Sequence, residues 1–459
     1  MKITLLNIEK AGDNKDYNGG FGTTFQVGKS IRAKVLERVR SKLDKTPILS
    51  YGYLAAIFKR NGHQVEVKTN TVPESDLVIL QGSTIRHGME LEYIRKIKKQ
   101  TKAKIGVIGP FPSARPELFS DADFVIQGEP EDAASKILDT IPSGVIQSSA
   151  IHELDLLPFP DWSVFPLNEF SGSPLLEKKP FTFMQASRGC PYRCSYCPYK
   201  LSGEFRLRRP EKVVEEMAYL QDMGVKGVMF RDPMFTQNKQ RILELCDRII
   251  ENKIEMEWGC ETGIDTLDME MLDRMHESGM RGIKVGIESV NDDLLKKNKR
   301  SPVRVTHQEE IIRYCDKKGI KVVAFYIIGL PGDTKESVIS TLNYAKRLNT
   351  DFANFTICTP LPGTELYSEL EGSIFETDWE KFDNFHPVFK HKNMSGDEML
   401  ELQERAIVSY YFRPKFLFKF IKKKIRTIES FILLTLSAHT SGDLLCPWDF
   451  MCDFQTLAV

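Results

Sequence analysis

Long apolar runs are missing from this chain. Nothing in its 459 residues reaches the roughly 18 consecutive apolar positions that a membrane-spanning helix needs. The opening Met1-Lys2-Ile3-Thr4-Leu5-Leu6-Asn7 carries one charge and too short an apolar run for a signal peptide, so the sequence reads as cytosolic. An excess of charge is missing too. Lys plus Arg and Asp plus Glu number 63 each, and no overall field argues for nucleic acid as a partner. Cysteine is scarce, at nine residues. The glycines at 19, 20 and 22 do not form G-x-G-x-x-G, and Lys29 stands outside a P-loop context, which argues against a nucleotide site there. What remains, 41% hydrophobic and 27% charged, is the composition of an ordinary globular protein long enough for two or three domains.

Three of the nine cysteines fall within eight residues, in Arg188-Gly189-Cys190-Pro191-Tyr192-Arg193-Cys194-Ser195-Tyr196-Cys197-Pro198, at the spacing C-x3-C-x2-C. Thiolates are soft donors that suit iron-sulfur clusters, and a cluster normally takes four. A 4Fe-4S cluster held by Cys190, Cys194 and Cys197 keeps one iron free for a substrate or cofactor. A zinc loop lacking its fourth ligand, or a grouping of structural thiols, is the plainer alternative.

The same segment resembles the signature of the radical S-adenosylmethionine enzymes, in which an aromatic residue, here Tyr196, precedes the last cysteine. The resemblance implies that the open iron chelates S-adenosylmethionine and that one electron cleaves it to a 5'-deoxyadenosyl radical, which takes hydrogen from an unactivated carbon. It further implies a well-reduced setting, a reducing partner such as flavodoxin or ferredoxin, and a small-molecule or lipid substrate.

Residues 1–148 alternate strands and helices. Strands are expected at 2–6, 64–67, 77–80, 104–108 and 124–126, with helices at 47–61, 90–101 and from 132. The later strands are continuously apolar, which indicates a parallel sheet covered on both faces. Its ligand edge falls at the carboxyl ends, where Gly82, Ser83, Thr84 and Gly109 stand. The phrases GYLAAIFKRNGHQVEV, VIGPFPSARPE and VIQGEPED resemble the cobalamin-binding domain of one branch of the family. D-x-H-x-x-G, by which some such domains ligate cobalt, is absent; a domain that only caps the active site is the alternative to bound cobalamin. Residues 16–25, with three glycines and three aromatics, read as a lid, and 29–45 as a basic helix with a solvated face.

The proline-rich Leu156-Leu157-Pro158-Phe159-Pro160-Asp161-Trp162 marks a linker over 149–180. From 181 to 372 six short apolar strands are expected, the count of the family's partial barrel, a relative of the eight-fold barrel with its site at the strands' carboxyl ends. By motif, the resemblance places Asp232 near the methionyl amino group, Glu288 and Ser289 near the ribose and methionine, and Gly329, Leu330 and Gly332 near the adenine, with Thr334 capping the next helix. Relatives often carry arginine where this chain has Gly263. Arg188, Arg193, Lys200 and Arg206 are candidates to replace that cation, or surface charges.

Residues 373–459 form a C-terminal region with a long helix over 395–412, on whose end Tyr410, Tyr411 and Phe412 line a cavity or pack in the core. Residues 413–426 mix basic and aromatic side chains. They dock on the barrel or lie peripherally on an anionic membrane surface. Cys446 and Cys452 are too few for a second cluster.

The expected architecture is α/β: a Rossmann-like cobalamin-binding-type domain, a partial (β/α)6 barrel and a mainly helical C-terminal region. The expected activity is cobalamin-dependent methylation of an unactivated carbon. A radical cyclase or coupling enzyme without cobalamin, acting on a lipid or tetrapyrrole, is one rival; a non-catalytic iron-sulfur or zinc protein is the other.

Overall fold

A computed structural model describes residues 1–41, 46–137, 140–170 and 173–419. The first sheet is parallel throughout and contains β1 (Lys2–Asn7), β2 (Gln64–Thr69), β3 (Leu77–Gln81), β4 (Lys104–Ile108), β5 (Phe124–Gln127) and β6 (Gly144–Gln147), ordered β2-β1-β3-β4-β5-β6. β3 is buried along its whole length, as its unbroken apolar run requires when helices cover both faces. One helix, Leu49–Arg60, packs Leu54, Ala55 and Phe58 against Ile3, Leu5, Leu77 and Ile79. Because the strand order reverses between β1 and β3, the crevice at their carboxyl ends is the place where such a sheet receives a ligand.

The second sheet is also parallel. It holds β7 (Phe181–Met184), β10 (Gly227–Phe230), β11 (Glu257–Thr262), β12 (Met280–Glu288), β13 (Lys321–Ile328) and β14 (Phe352–Ile357), ordered β14-β13-β12-β11-β10-β7. These are the six expected strands, each followed in sequence by the next without a break in order, which is the arc of a partial barrel. A small antiparallel ribbon of β8 (Ser187–Arg188) and β9 (Arg206–Leu207) closes the base of the cysteine segment.

β6 was not expected from the sequence. It is the exposed edge of the first sheet, with only Ile146 half-buried, so it carries too little apolar patterning to read. The basic helix begins at Ile31 and is described as far as Ser41; residues 42–45 lie outside the described ones. Residues 1–408 form one compact unit, and residues 409–459 a second. The helix Gly396–Tyr411 matches the one expected over 395–412. Residues 420–426 of the basic segment, Cys446 and Cys452 lie outside the described residues. Among the described residues no helix is long and apolar enough to cross a membrane.

Candidate active site

β7 runs directly into the cysteine loop, and all three thiols line one cleft of about 160 Å3 at the mouth of the second sheet. Cys194 is buried; Cys190 and Cys197 are half-buried. The backbone N–H of Cys197 donates to the Cys194 carbonyl at 3.2 Å. Ser195 is held on both sides, its N–H donating to the Asn298 carbonyl at 3.2 Å and its carbonyl accepting from the Leu366 N–H at 3.0 Å. Burial pushes the Cys190 thiol up and the Cys197 thiol up to about 12, so deprotonation of either calls for a bound cation beside it. Among the described residues no three His, Cys, Asp or Glu side chains are grouped to chelate a single metal ion.

Glu288 enters the cleft from the end of β12. Its φ of 62° is unusual for a side chain of this size, and the register against β13 slips there, between Gly286 and Glu288. The carboxylate folds back over Gly286, and a Cβ at 286 would collide with Glu288 Oε1 and approach Arg300 Nη2 to 3.2 Å. An alanine at 286 therefore fits only if the end of the Glu288 side chain shifts. Burial pushes the Glu288 carboxyl up, with the Arg300 guanidinium pulling it back. Arg300 donates from Nη2 to the Gly286 carbonyl at 2.7 Å and stands beside Cys194. Tyr196 packs against the apolar core with its hydroxyl buried and unbonded, an orphaned polar atom near Glu288 that suits a polar ligand. Ser289, in contrast, is turned away. Its hydroxyl is 3.3 Å from Thr341 Oγ1 and accepts from the Asn291 N–H at 3.2 Å.

Asp232 does not line the cleft either. It is 0% exposed, and its two oxygens accept from the Ala186 N–H at 3.1 and 3.0 Å and from the Ser187 hydroxyl at 2.5 Å. Its place is the root of the cysteine loop, which it pins to the end of β10. The 329–332 turn follows β13: Gly329 N–H donates to Asp333 at 3.0 Å, and the buried Leu330 accepts through its carbonyl from the His391 ring at 3.2 Å. Gly332 sits beside Lys297, and Thr334 caps the helix Lys335–Leu348 as expected. None of these turn residues borders the thiol-lined space. A larger open groove of about 690 Å3, past Ile374 and Asn393, contains no thiol.

Of the cations expected near Gly263, Lys200 shares the cleft with it, and the other three stand elsewhere. Arg188 pairs with Glu131 at 2.6 Å and Glu129 at 3.5 Å, and Arg206 with Glu129 at 2.6 Å. Both arginines are buried, contrary to a surface role, and they tie the cysteine loop to the GEPED turn after β5. Arg193 is exposed and Lys200 pairs with Glu365 at 3.6 Å. Lys200 borders the cleft, and so do two further cations, Lys284 and Arg300, with Glu261 opposite. Sequence reading missed these two, although a lysine inside the apolar run of β12 was a sign of a buried charge with a partner.

At the first sheet's carboxyl edge, Gly82 and Ser83 are buried and Gly109 half-buried. Ser83 donates through its N–H and hydroxyl to Glu90, at 2.9 and 2.8 Å, and Glu90 is paired with the buried Lys15 at 2.5 Å. The Phe21 carbonyl accepts from both the N–H and hydroxyl of Thr84 at 3.0 Å, and Phe21 itself is fully buried near Phe111. The segment 14–25 thus fills the crevice between β1 and β3. Gly19 lets it pass so close to the cysteine loop that a Cβ there would lie 2.9 Å from Pro198 Cγ. Residues 16–25, expected as a lid, touch residues from both sheets.

Comparison with known proteins adds four findings. The sequence profile of the Radical SAM superfamily matches residues 184–345. An uncharacterised methyltransferase of Pyrococcus horikoshii is 29% identical over 358 residues, 71% of this chain and 76% of that protein. The bacteriochlorophyllide d C-12(1)-methyltransferase of Chlorobaculum tepidum is 26% identical over 319 residues, 66% of this chain and 68% of that one. Among solved structures, the radical S-adenosylmethionine methyltransferase TsrM of Kitasatospora setae, with cobalamin and a 4Fe-4S cluster bound, has a TM-score of 0.59 at 17% identity, covering 81% of this chain and 74% of its own.

Proposed function

The chain belongs to the radical S-adenosylmethionine superfamily, and from that premise we propose that it is a methyltransferase whose Cys190, Cys194 and Cys197 hold a 4Fe-4S cluster. The observation that carries this reading is the gathering of the three thiols, Glu288 and Arg300 in one cleft at the mouth of a six-stranded arc. Its parts are a front domain over 1–148, a linker over 149–180, a core over 181–372 and a C-terminal region over 373–459.

Bound there, the cluster and S-adenosylmethionine supply a radical that takes hydrogen from a substrate carbon. The chain's own residues bind and orient. The half-buried Arg300 and the buried Glu288, opposite in charge, offer matching partners to an amino acid's carboxylate and ammonium. The unbonded Tyr196 hydroxyl supplies a further hydrogen bond, and the apolar surroundings keep water from the radical. Asp232 and Ser289 act indirectly, by fixing the loop and the strand end, and the 329–332 turn flanks the site. A reducing partner of flavodoxin or ferredoxin type and a cytosolic, reduced setting suit such a cluster.

Cobalamin is the methyl donor that likeness of fold to TsrM suggests. Residues 82, 83 and 109 as packed do not receive it, since Phe21, Lys15 and Glu90 occupy their edge. Binding there calls for segment 14–25 to swing out. The filled crevice also favours a second reading, a radical enzyme that works without a corrinoid. Anaerobic purification with hydroxocobalamin separates the two. Corrinoid absorption that survives gel filtration supports the methyltransferase, and its absence with an intact cluster supports the second.

A further inference from the structure

Two buried cations stand at the mouth of the second sheet. Lys284, inside β12 and 5% exposed, has Nζ 3.1 Å from Glu261 Oε1. Arg231, immediately after β10 and 4% exposed, donates from Nη1 to the same oxygen at 2.7 Å. One carboxylate therefore serves two positive charges. Burial pushes the Glu261 carboxyl up, but Lys284 and Arg231 outweigh it and hold the group below the usual carboxylate range. Of the remaining charges of the cleft, Glu288 and Arg300 offset each other, and the exposed Lys200 pairs with Glu365 outside it. The second sheet by itself is left with one buried positive charge in excess, a costly arrangement unless an anion comes to it.

In this structure that compensation comes from the first domain. Tyr17 lies over both cations, its ring centroid 4.4 Å from Arg231 and 4.3 Å from Lys284, and Lys284 Nζ donates to its hydroxyl at 3.1 Å. Arg231 Nη2 donates to the Asp16 carbonyl at 2.6 Å. The charge match is imperfect. Asp16 Oδ2 stays 3.7 Å from Arg231 Nε, and that nitrogen is buried without a hydrogen bond. A planar ring with an anion beside it thus rests where the barrel presents two cations, and Glu261 and Lys284 share the cleft with the three thiols.

We propose that Lys284 and Arg231 recognise an anionic group, carboxylate or phosphate, on a planar substrate, and that Asp16 and Tyr17 hold this site until the substrate displaces them. The proposal rests on reading the thiol-lined cleft as the active site. Opening of segment 14–25 then exposes the substrate site and the crevice of the first sheet together, because Tyr17 and Phe21 belong to one short loop.

The test uses full-length protein with its cluster reconstituted, and measures binding of 4-hydroxyphenylacetate, phenyl phosphate and the neutral 4-hydroxyphenylethanol by anaerobic calorimetry. Tyr17→Ala is expected to tighten one of the anions by about tenfold, the gain when a competent state goes from about a tenth populated to fully populated. The neutral probe gains nothing, and the better anion identifies carboxylate or phosphate. Adding Lys284→Gln removes the gain, whereas Lys284→Arg retains it and shows that the fold tolerates the position. S-adenosylmethionine binds all variants equally. The proposal is overturned if Tyr17→Ala brings no gain, if Lys284→Gln leaves the gain intact, or if Lys284→Gln abolishes S-adenosylmethionine binding, which would give the cations to the cofactor. Failure of the enzyme reading is a separate result: a full cluster that forms no 5'-deoxyadenosine.

Discussion

The Glu288 carboxylate lies back over Gly286, two residues behind it on β12, with Arg300 bonded to the Gly286 carbonyl at 2.7 Å. A methyl group at 286 cannot enter without moving both charged groups. Gly286→Ala is expected to cost about 1–3 kcal/mol of stability by overpacking. Equilibrium binding should show a weaker S-adenosylmethionine complex while iron content per chain stays the same. Unchanged affinity would remove Glu288 and Arg300 from the cofactor site.

Asp232 gives a pH signature. Burial pushes its carboxyl up from the ordinary 3.8 to about 6, against the pull of hydrogen bonds from Ser187 and Ala186. The folded state therefore holds the proton more tightly than the unfolded chain, and this group's contribution to stability falls as pH rises from 3.8 to about 6, then levels off. Asp232→Asn does not titrate. Urea unfolding across that window should show the wild type losing stability relative to the variant as pH rises. A constant difference would mean that the carboxyl is not shifted.

Arg188 and Glu131 join the cysteine loop to the first domain at 2.6 Å, both nearly out of solvent. Arg188→Ala leaves Glu131 buried and unpaired, with an expected loss of about 3–5 kcal/mol. Thermal unfolding followed by circular dichroism should show a lower midpoint for Arg188→Ala, and a smaller fall for Arg188→Ala with Glu131→Gln. Equal midpoints for the single and double variants would show that the pair does not couple.

Phe21 seals the crevice between β1 and β3. If cobalamin enters there, Phe21→Ala should raise the rate of hydroxocobalamin uptake, followed by absorbance under anaerobic conditions. Uptake that is equally fast in the wild type would place the corrinoid at another surface.

Much of this fold is legible because its strands are short, apolar and evenly separated by helices. Val78, Ile79, Ile283 and Val285 declare burial by composition alone, and the three cysteines stand out by their spacing. β6 was lost because an exposed edge strand needs no apolar pattern. The family resemblance places Asp232 and Ser289 near the cofactor by motif, yet their partners, Ala186 and Thr341, come from other elements and appear only in three dimensions. Arg300 was invisible for a similar reason. It reaches the cysteine loop from the turn after the helix Asp292–Lys297, where Lys299 takes a φ of 56°. Arg188 and Arg206 look like ordinary loop charges until the GEPED turn is brought against them.

The most direct measurement is 5'-deoxyadenosine formation by protein reconstituted with iron and sulfide, given S-adenosylmethionine and dithionite without added substrate. Wild type is expected to form it slowly, and Cys194→Ala, the buried thiol of the loop, to form none. A fully iron-loaded wild type that yields no 5'-deoxyadenosine, or a Cys194→Ala variant that yields as much as wild type, would contradict a radical cluster at Cys190, Cys194 and Cys197.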